Sequence, residues 1–153
     1  MITNKLKYAL KALVVLGEEH AGTGQALRIE EIAQRGSIPK RFLEHILLEL
    51  RDAGFLTSVR GRAGGYALAV EPKAIPLSEV VRLIDGPLAP LPCLSRRSYR
   101  KCEDCADETS CRIRAVFGQV FWSYLLLIES MTMADVLAVG DPIRTIISDI
   151  APS

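Results

Sequence analysis

Cys93, Cys102, Cys105 and Cys111 are the four cysteines of this 153-residue chain, and they fall within nineteen positions as C-x8-C-x2-C-x5-C. Thiolates this close together can hold a soft metal or an iron–sulfur cluster, or exchange with one another as disulfides. Arg96, Arg97, Arg100 and Lys101 beside them favour thiolate; Glu103, Asp104, Asp107 and Glu108 oppose it. Cys102-x2-Cys105 is also a familiar zinc half-site, although no partner pair is evident. A thiol oxidoreductase would set such a pair at the start of a helix that follows a strand. Here it sits in a charged loop, and both histidines, His20 and His45, belong to the other half of the chain. No catalytic set emerges, and the chain reads as a non-enzyme.

A second group of residues suits DNA. Lys40, Arg41, Glu44 and His45 lie on the polar face of a segment whose Leu43, Ile46, Leu47 and Leu50 form an apolar helical stripe. Polar side chains on such a helix can meet base edges or phosphates. Arg60, Gly61 and Arg62 follow within a glycine-rich turn, where a slim backbone lets guanidinium groups approach the negative potential of a minor groove.

The elements that must carry these groups are readable from periodicity and punctuation. Asn4 is the expected cap of a first helix bearing Leu6, Ala9, Leu10, Leu13 and Leu16, which Gly17 and the run Gly22-Thr23-Gly24 end. A short helix is expected over 28–34. Ser37 is the expected N-cap of a third helix reaching Ala53, with Pro39 in its first turn. Residues 55–60 and 66–70 read as the two strands of a hairpin around the glycine turn. Further helices are expected at 78–85, at 112–130 and, behind a Thr132/Asp135 capping box, at 133–139. The fold class is therefore mainly α with a small β-hairpin wing: a winged helix-turn-helix followed by a long dimerisation helix. Three units are expected: a DNA-binding domain at 1–75, a connecting helix and cysteine-rich sensor loop at 76–111, and the dimerisation and C-terminal helices at 112–153.

Composition agrees with a soluble protein. Hydrophobic residues make up 49% and charged residues 24%, and no apolar run approaches the ~20 residues that span a bilayer. Residues 1–17 carry three lysines among their apolar positions, unlike a signal peptide, so a cytoplasmic protein with no membrane partner is expected. Net charge is +1, but 1–75 carries 11 Lys+Arg against 8 Asp+Glu (+3), whereas 76–153 carries 8 against 10 (−2). The basic bias falls on the half with the DNA-reading pattern. The 112–130 helix is apolar around much of its circumference, through Val116, Phe117, Val120, Phe121, Tyr124, Leu125, Leu127 and Ile128. It is expected to pair with its counterpart in a second subunit, because a winged helix reads a half-site and symmetry supplies the other.

The run Leu50-Arg51-x-Ala53-Gly54 followed by Arg60-Gly61-x-x-Gly64-Gly65-Tyr66 resembles the recognition helix and wing of the Rrf-type regulators, the family that includes IscR, NsrR, RirA and CymR. Tyr8-Ala9-Leu10-Lys11-Ala12-Leu13, Leu77-Ser78-Glu79-Val80-Val81, the cysteine segment and Thr132-Met133-Ala134-Asp135-Val136-Leu137 resemble its other landmarks in the same order, across roughly residues 1–140. The resemblance implies a homodimer on a palindromic double-stranded DNA operator. Arg60 falls at the minor-groove arginine, and Arg41, Glu44 and His45 at base-reading positions. It also implies an iron–sulfur cluster, 2Fe–2S or 4Fe–4S, in the cysteine loop. Cluster-binding relatives commonly show C-x5-C-x5-C: Cys105 and Cys111 fit the last two positions, Tyr99 occupies the first, and Cys93 and Cys102 stand on either side of it. Some relatives take a fourth ligand from a histidine just after the last cysteine or from an acidic residue in the first helix. Here Arg114, Lys7 and Tyr8 stand in those regions, and none would ligate iron.

The sequence thus predicts a DNA-binding regulator, a repressor, that senses iron–sulfur, redox or nitric oxide status through its four cysteines. Cofactor-free thiol–disulfide switching, a structural zinc, and a zinc-stabilised protein-interaction module are the competing readings.

Overall fold

The computed structural model describes residues 2–139. The end of the third expected unit, 140–153, lies outside them, and so does Met1.

Helix α1 (Asn4–Ala21) is the central element. Its buried Leu6, Ala9, Ala12, Leu13, Val15 and Leu16 meet α2 (Ile29–Gly36), α3 (Lys40–Asp52), α4 (Leu77–Asp85) and α6 (Met133–Ala138). Its cap is Thr3, one residue before the expected Asn4. Thr3 keeps an extended backbone and its Oγ1 accepts the Leu6 N–H at 3.1 Å, so Asn4 is already helical. The Thr3 hydroxyl also donates to Asp85 at the end of α4.

The expected role of Ser37 is corrected too. Ser37 adopts a left-handed conformation (φ 50°, ψ 52°) and closes α2, its N–H donating to the Gln34 carbonyl at 3.2 Å. Ile38, held out of the helical region by the proline that follows, separates the two helices. Pro39 is then the extended N-cap residue, and α3 starts at Lys40. Its buried stripe is Leu43, Ile46, Leu47 and Leu50, and Gly54 (φ +84°) turns the chain out of the helix.

Strands β1 (Leu56–Val59) and β2 (Gly65–Leu68) pair antiparallel, with Leu56 opposite Leu68 and Val59 opposite Gly65. The main core runs through all these elements and takes in Ile75, Val80, Ile84 and Met133. A smaller core joins Cys93 and Leu94 to Phe121, Leu125 and Ile128 of the long helix α5 (Arg112–Ser130); Leu77 and Val81 touch both cores. At its far end α5 is stitched back: the Leu77 N–H donates to the Met131 carbonyl and the Met133 N–H to the Ile75 carbonyl, each at 2.9 Å. No helix among the described residues is long and apolar enough to cross a membrane.

Candidate nucleic-acid interface and cysteine centre

The wing is fixed by contacts that sequence spacing does not reveal. Leu27, between α1 and α2, exchanges two backbone hydrogen bonds with Tyr66, its N–H donating at 2.9 Å and its carbonyl accepting at 2.8 Å. Gly65 beside Tyr66 has φ +155°, and a Cβ there would lie 2.2 Å from the Leu27 carbonyl oxygen. Only glycine lets the two backbones approach this closely. Arg28 adds a side-chain tie, its guanidinium donating to the Arg62 carbonyl at 2.6 Å. The loop between the strands turns at Gly61 (φ +102°), and the Gly64 N–H donates to the Gly61 carbonyl at 2.9 Å.

All seven expected DNA contacts are exposed. Arg60, Gly61 and Arg62 form the wing turn; Arg41, Glu44 and His45 stand on the outer face of α3. Arg41 stacks over the Phe42 ring, 4.7 Å from its centre, and Phe42 stacks in turn on Tyr8 of α1. Lys40 differs from the others because its ammonium is hydrogen-bonded to Glu30 of α2. That bond holds the lysine above its ordinary pKa and the carboxylate below its own, so the pair stays charged and part of the lysine's field is cancelled. Arg28 is the residue that sequence reading missed here. Its partner is a backbone carbonyl 34 positions away, which leaves no local signal.

The cysteine loop leads from the short turn Pro92–Leu94 to the start of α5. Cys93 is buried, the other three are half-buried, and all four are free thiols. Cys102 neighbours Cys93; burial pushes its thiol above the ordinary pKa, and the Cys93 thiol pushes the same way against a smaller opposing pull from the Cys93 backbone. Burial also raises the Cys105 thiol, and the charge of Cys111 adds to the shift. Cys111 is the N-cap of α5, its Sγ accepting the Arg114 N–H at 3.4 Å. Local ties shape the loop: Asp107 accepts from the Thr109 and Ser110 amides, each at 3.1 Å, and the Tyr99 hydroxyl donates to Glu108 at 2.5 Å.

Cys93 and Cys111 line one cleft of about 400 Å³, together with Glu108, Arg114 and Trp122. Among the described residues, no three Cys, His, Asp or Glu side chains converge at metal-holding distance. The residue types suit a soft centre: Cys93 and Cys111 line the cleft with Glu108 as its one carboxylate and Arg96 and Arg114 as its cations, and Cys102 and Cys105 complete the four thiols of the loop. Arg114 Nε is buried with no hydrogen-bond partner among the described residues, a loss of about 1–3 kcal/mol for a group of this kind. A thiolate-rich, anionic centre would supply that partner.

The loop is also wired to the rest of the chain. Arg97 donates twice to Glu79 of α4, at 2.8 and 3.0 Å; Arg82 joins Glu79, at 2.7 Å, to Glu129 of α5, at 2.6 Å. Arg96 stacks over Trp122, 4.4 Å from the ring centre. The opposite side of α5 has no such partners among the described residues. Ile113, Val116, Phe117, Val120, Tyr124 and Leu127 form an exposed apolar stripe at helical spacing.

Residues 2–139 match the family Rrf2, described as iron-dependent transcriptional regulator. An rrf2-like HTH-type transcriptional regulator of Rhodobacter capsulatus is 59% identical over 150 residues, covering 97% of this chain and all of its own. The HTH-type transcriptional regulator CymR of Bacillus subtilis is 31% identical over 140 residues, covering 92% of this chain and 91% of its own. The solved structure of CymR, described as the global cysteine regulator of B. subtilis, superimposes with a TM-score of 0.74 at 28% identity, over 92% of this chain and 98% of its own. These relatives are regulators with the same winged-helix architecture, not enzymes, and the chain belongs to the Rrf2 family of transcriptional regulators.

Proposed function

We propose that this protein is a cytoplasmic, homodimeric repressor whose affinity for a palindromic operator is set by an iron–sulfur cluster in the Cys93–Cys111 loop. In this reading 1–75 is the DNA-binding unit, 76–111 the sensor and 112–153 the dimerisation unit. Arg41, Glu44 and His45 read bases in the major groove, Lys40 and Arg62 approach phosphates, and Arg60 enters the minor groove beside Gly61. The exposed stripe of α5 is the dimer seam. Covering each of its large side chains is worth about 1.5–3 kcal/mol before the cost of association.

The observation that carries the reading is the double role of Cys111, one of the four thiols and also the cap of the helix that bears the stripe. A bound cluster supplies a redox-active centre whose loss or oxidation is the signal. Cys93, Cys102, Cys105 and Cys111 would hold it. Withdrawing Cys111 removes the cap of α5 or moves its first turn, and the Arg97–Glu79–Arg82–Glu129 chain passes the change to α4 and the winged helix. The result is a population shift between two spacings of the recognition helices. A tenfold change in operator affinity needs a difference of only about 1.4 kcal/mol between them.

The test is the visible absorption of protein purified without oxygen, with iron, sulfide and zinc analysis of the same sample. A brown protein with iron and acid-labile sulfide supports the reading. A second reading is favoured by the neighbouring Cys93 and Cys102. These two thiols could form a disulfide, giving up two electrons and two protons to an oxidant such as a peroxide, which is reduced to water. A colourless protein, free of iron and zinc, whose operator affinity changes on oxidation would support that reading instead.

A further inference from the structure

We propose that Arg114 is the cationic hydrogen-bond donor to the metal–thiolate centre of this loop, its Nε–H engaging a thiolate sulfur or an inorganic sulfide of the cluster. The proposal rests on the cofactor reading above and adds a residue that is not a ligand.

Four observations lead to it. Arg114 stands in the first turn of α5, three residues after Cys111, and its own amide donates to the Cys111 sulfur, so backbone and side chain share the thiol's surroundings. Arg114 lines the cleft that Cys93 and Cys111 also line. Its Nε is the buried side-chain nitrogen that lacks any partner among the described residues. The one carboxylate on that cleft, Glu108, is already engaged by the Tyr99 hydroxyl, and the cleft's other guanidinium, Arg96, is stacked on Trp122. A half-buried cation stands beside thiols and makes no ion pair among the described residues.

A guanidinium stays protonated at any working pH and offers no lone pair, so it cannot coordinate iron. What it can do is donate to sulfur. Thiolate and sulfide ligands make a cluster net anionic, and hydrogen bonds to its sulfurs together with nearby charge set its reduction potential. A cation at Arg114 stabilises the more negative, reduced state. It therefore raises the midpoint potential and holds the cluster against loss. This is a positioning and tuning role, and it gives the unligated residue after the last cysteine a purpose of its own.

The test is a redox titration, followed by visible absorption, of full-length wild type, Arg114→Gln and Arg114→Lys purified without oxygen, with iron and sulfide measured on each. Arg114→Gln should shift the midpoint potential to more negative values and speed cluster loss, at unchanged iron and sulfide per chain in fresh protein. Arg114→Lys, which keeps charge without the planar fork, should fall between the two. Identical potentials in all three cluster-loaded proteins overturn the proposal while leaving the cofactor reading intact. Wild type with neither iron nor sulfide overturns both. Should Arg114→Gln fail to fold, the potential of Arg114→Lys decides: a negative shift supports the role and an unchanged value removes it.

Discussion

The wing and the cysteine loop are both irregular segments, and they solve opposite problems. In the wing the backbone is held from within the chain, while the Arg60 and Arg62 side chains stay exposed: Leu27 pairs with Tyr66, Gly65 is pressed on the Leu27 carbonyl, and Arg28 holds the carbonyl of Arg62. In the cysteine loop four thiols are free and the buried Nε of Arg114 is unanswered among the described residues. A surface that must match DNA repeatedly is best built in advance. A loop that works as the proposed sensor must instead leave part of its bonding to the thing it senses.

That contrast is easiest to break at Gly65. Gly65→Ala puts a Cβ into the Leu27 carbonyl at a φ that side chains rarely adopt. It should destabilise the fold by roughly 2–4 kcal/mol, lowering the melting temperature and abolishing specific operator binding in gel-shift assays. Retention of wild-type affinity would mean that the wing is not preformed. Next in size, Arg60→Ala should cost about 1–3 kcal/mol of operator affinity by fluorescence anisotropy, with an unchanged dimer in sedimentation.

Arg28→Ala should weaken binding by less, about fivefold, because it loosens the wing without removing a DNA contact. Its slope of log affinity against log salt should match wild type. A slope smaller by about 0.9 would instead identify Arg28 as a phosphate ligand. At the other pole the DNA-reading surface is untouched: Cys105→Ser should bind the operator with the affinity of cofactor-free wild type, and no longer respond to redox or nitric oxide treatment. A normal response in that variant would remove Cys105 from the sensor.

How much of this was legible in the sequence differs between the two regions for physical reasons. The α3 stripe and the bounds of α5 follow from helical periodicity, a local property, and the structure agrees residue by residue. Thr132 caps α6 as its capping box with Asp135 predicts, but two other caps lie one or two residues from the expected positions, because neighbouring residues compete for the same orphan amides. Thr3 outcompetes Asn4, and Ser37 takes a left-handed turn that periodicity cannot signal. The Leu27–Tyr66 pairing and the Arg28 tie join segments more than thirty positions apart, so composition carried no trace of them. In the cysteine loop the residue types announced the chemistry at once. Their convergence depends on the path of residues 95–111, which spacing leaves free.

The most direct measurement of the central claim is operator affinity of one anaerobically purified sample, before and after its cofactor is removed by chelation, with Cys105→Ser alongside. The account predicts a change of tenfold or more in wild type and none in the variant. Equal affinity in the two states of the wild type would contradict it.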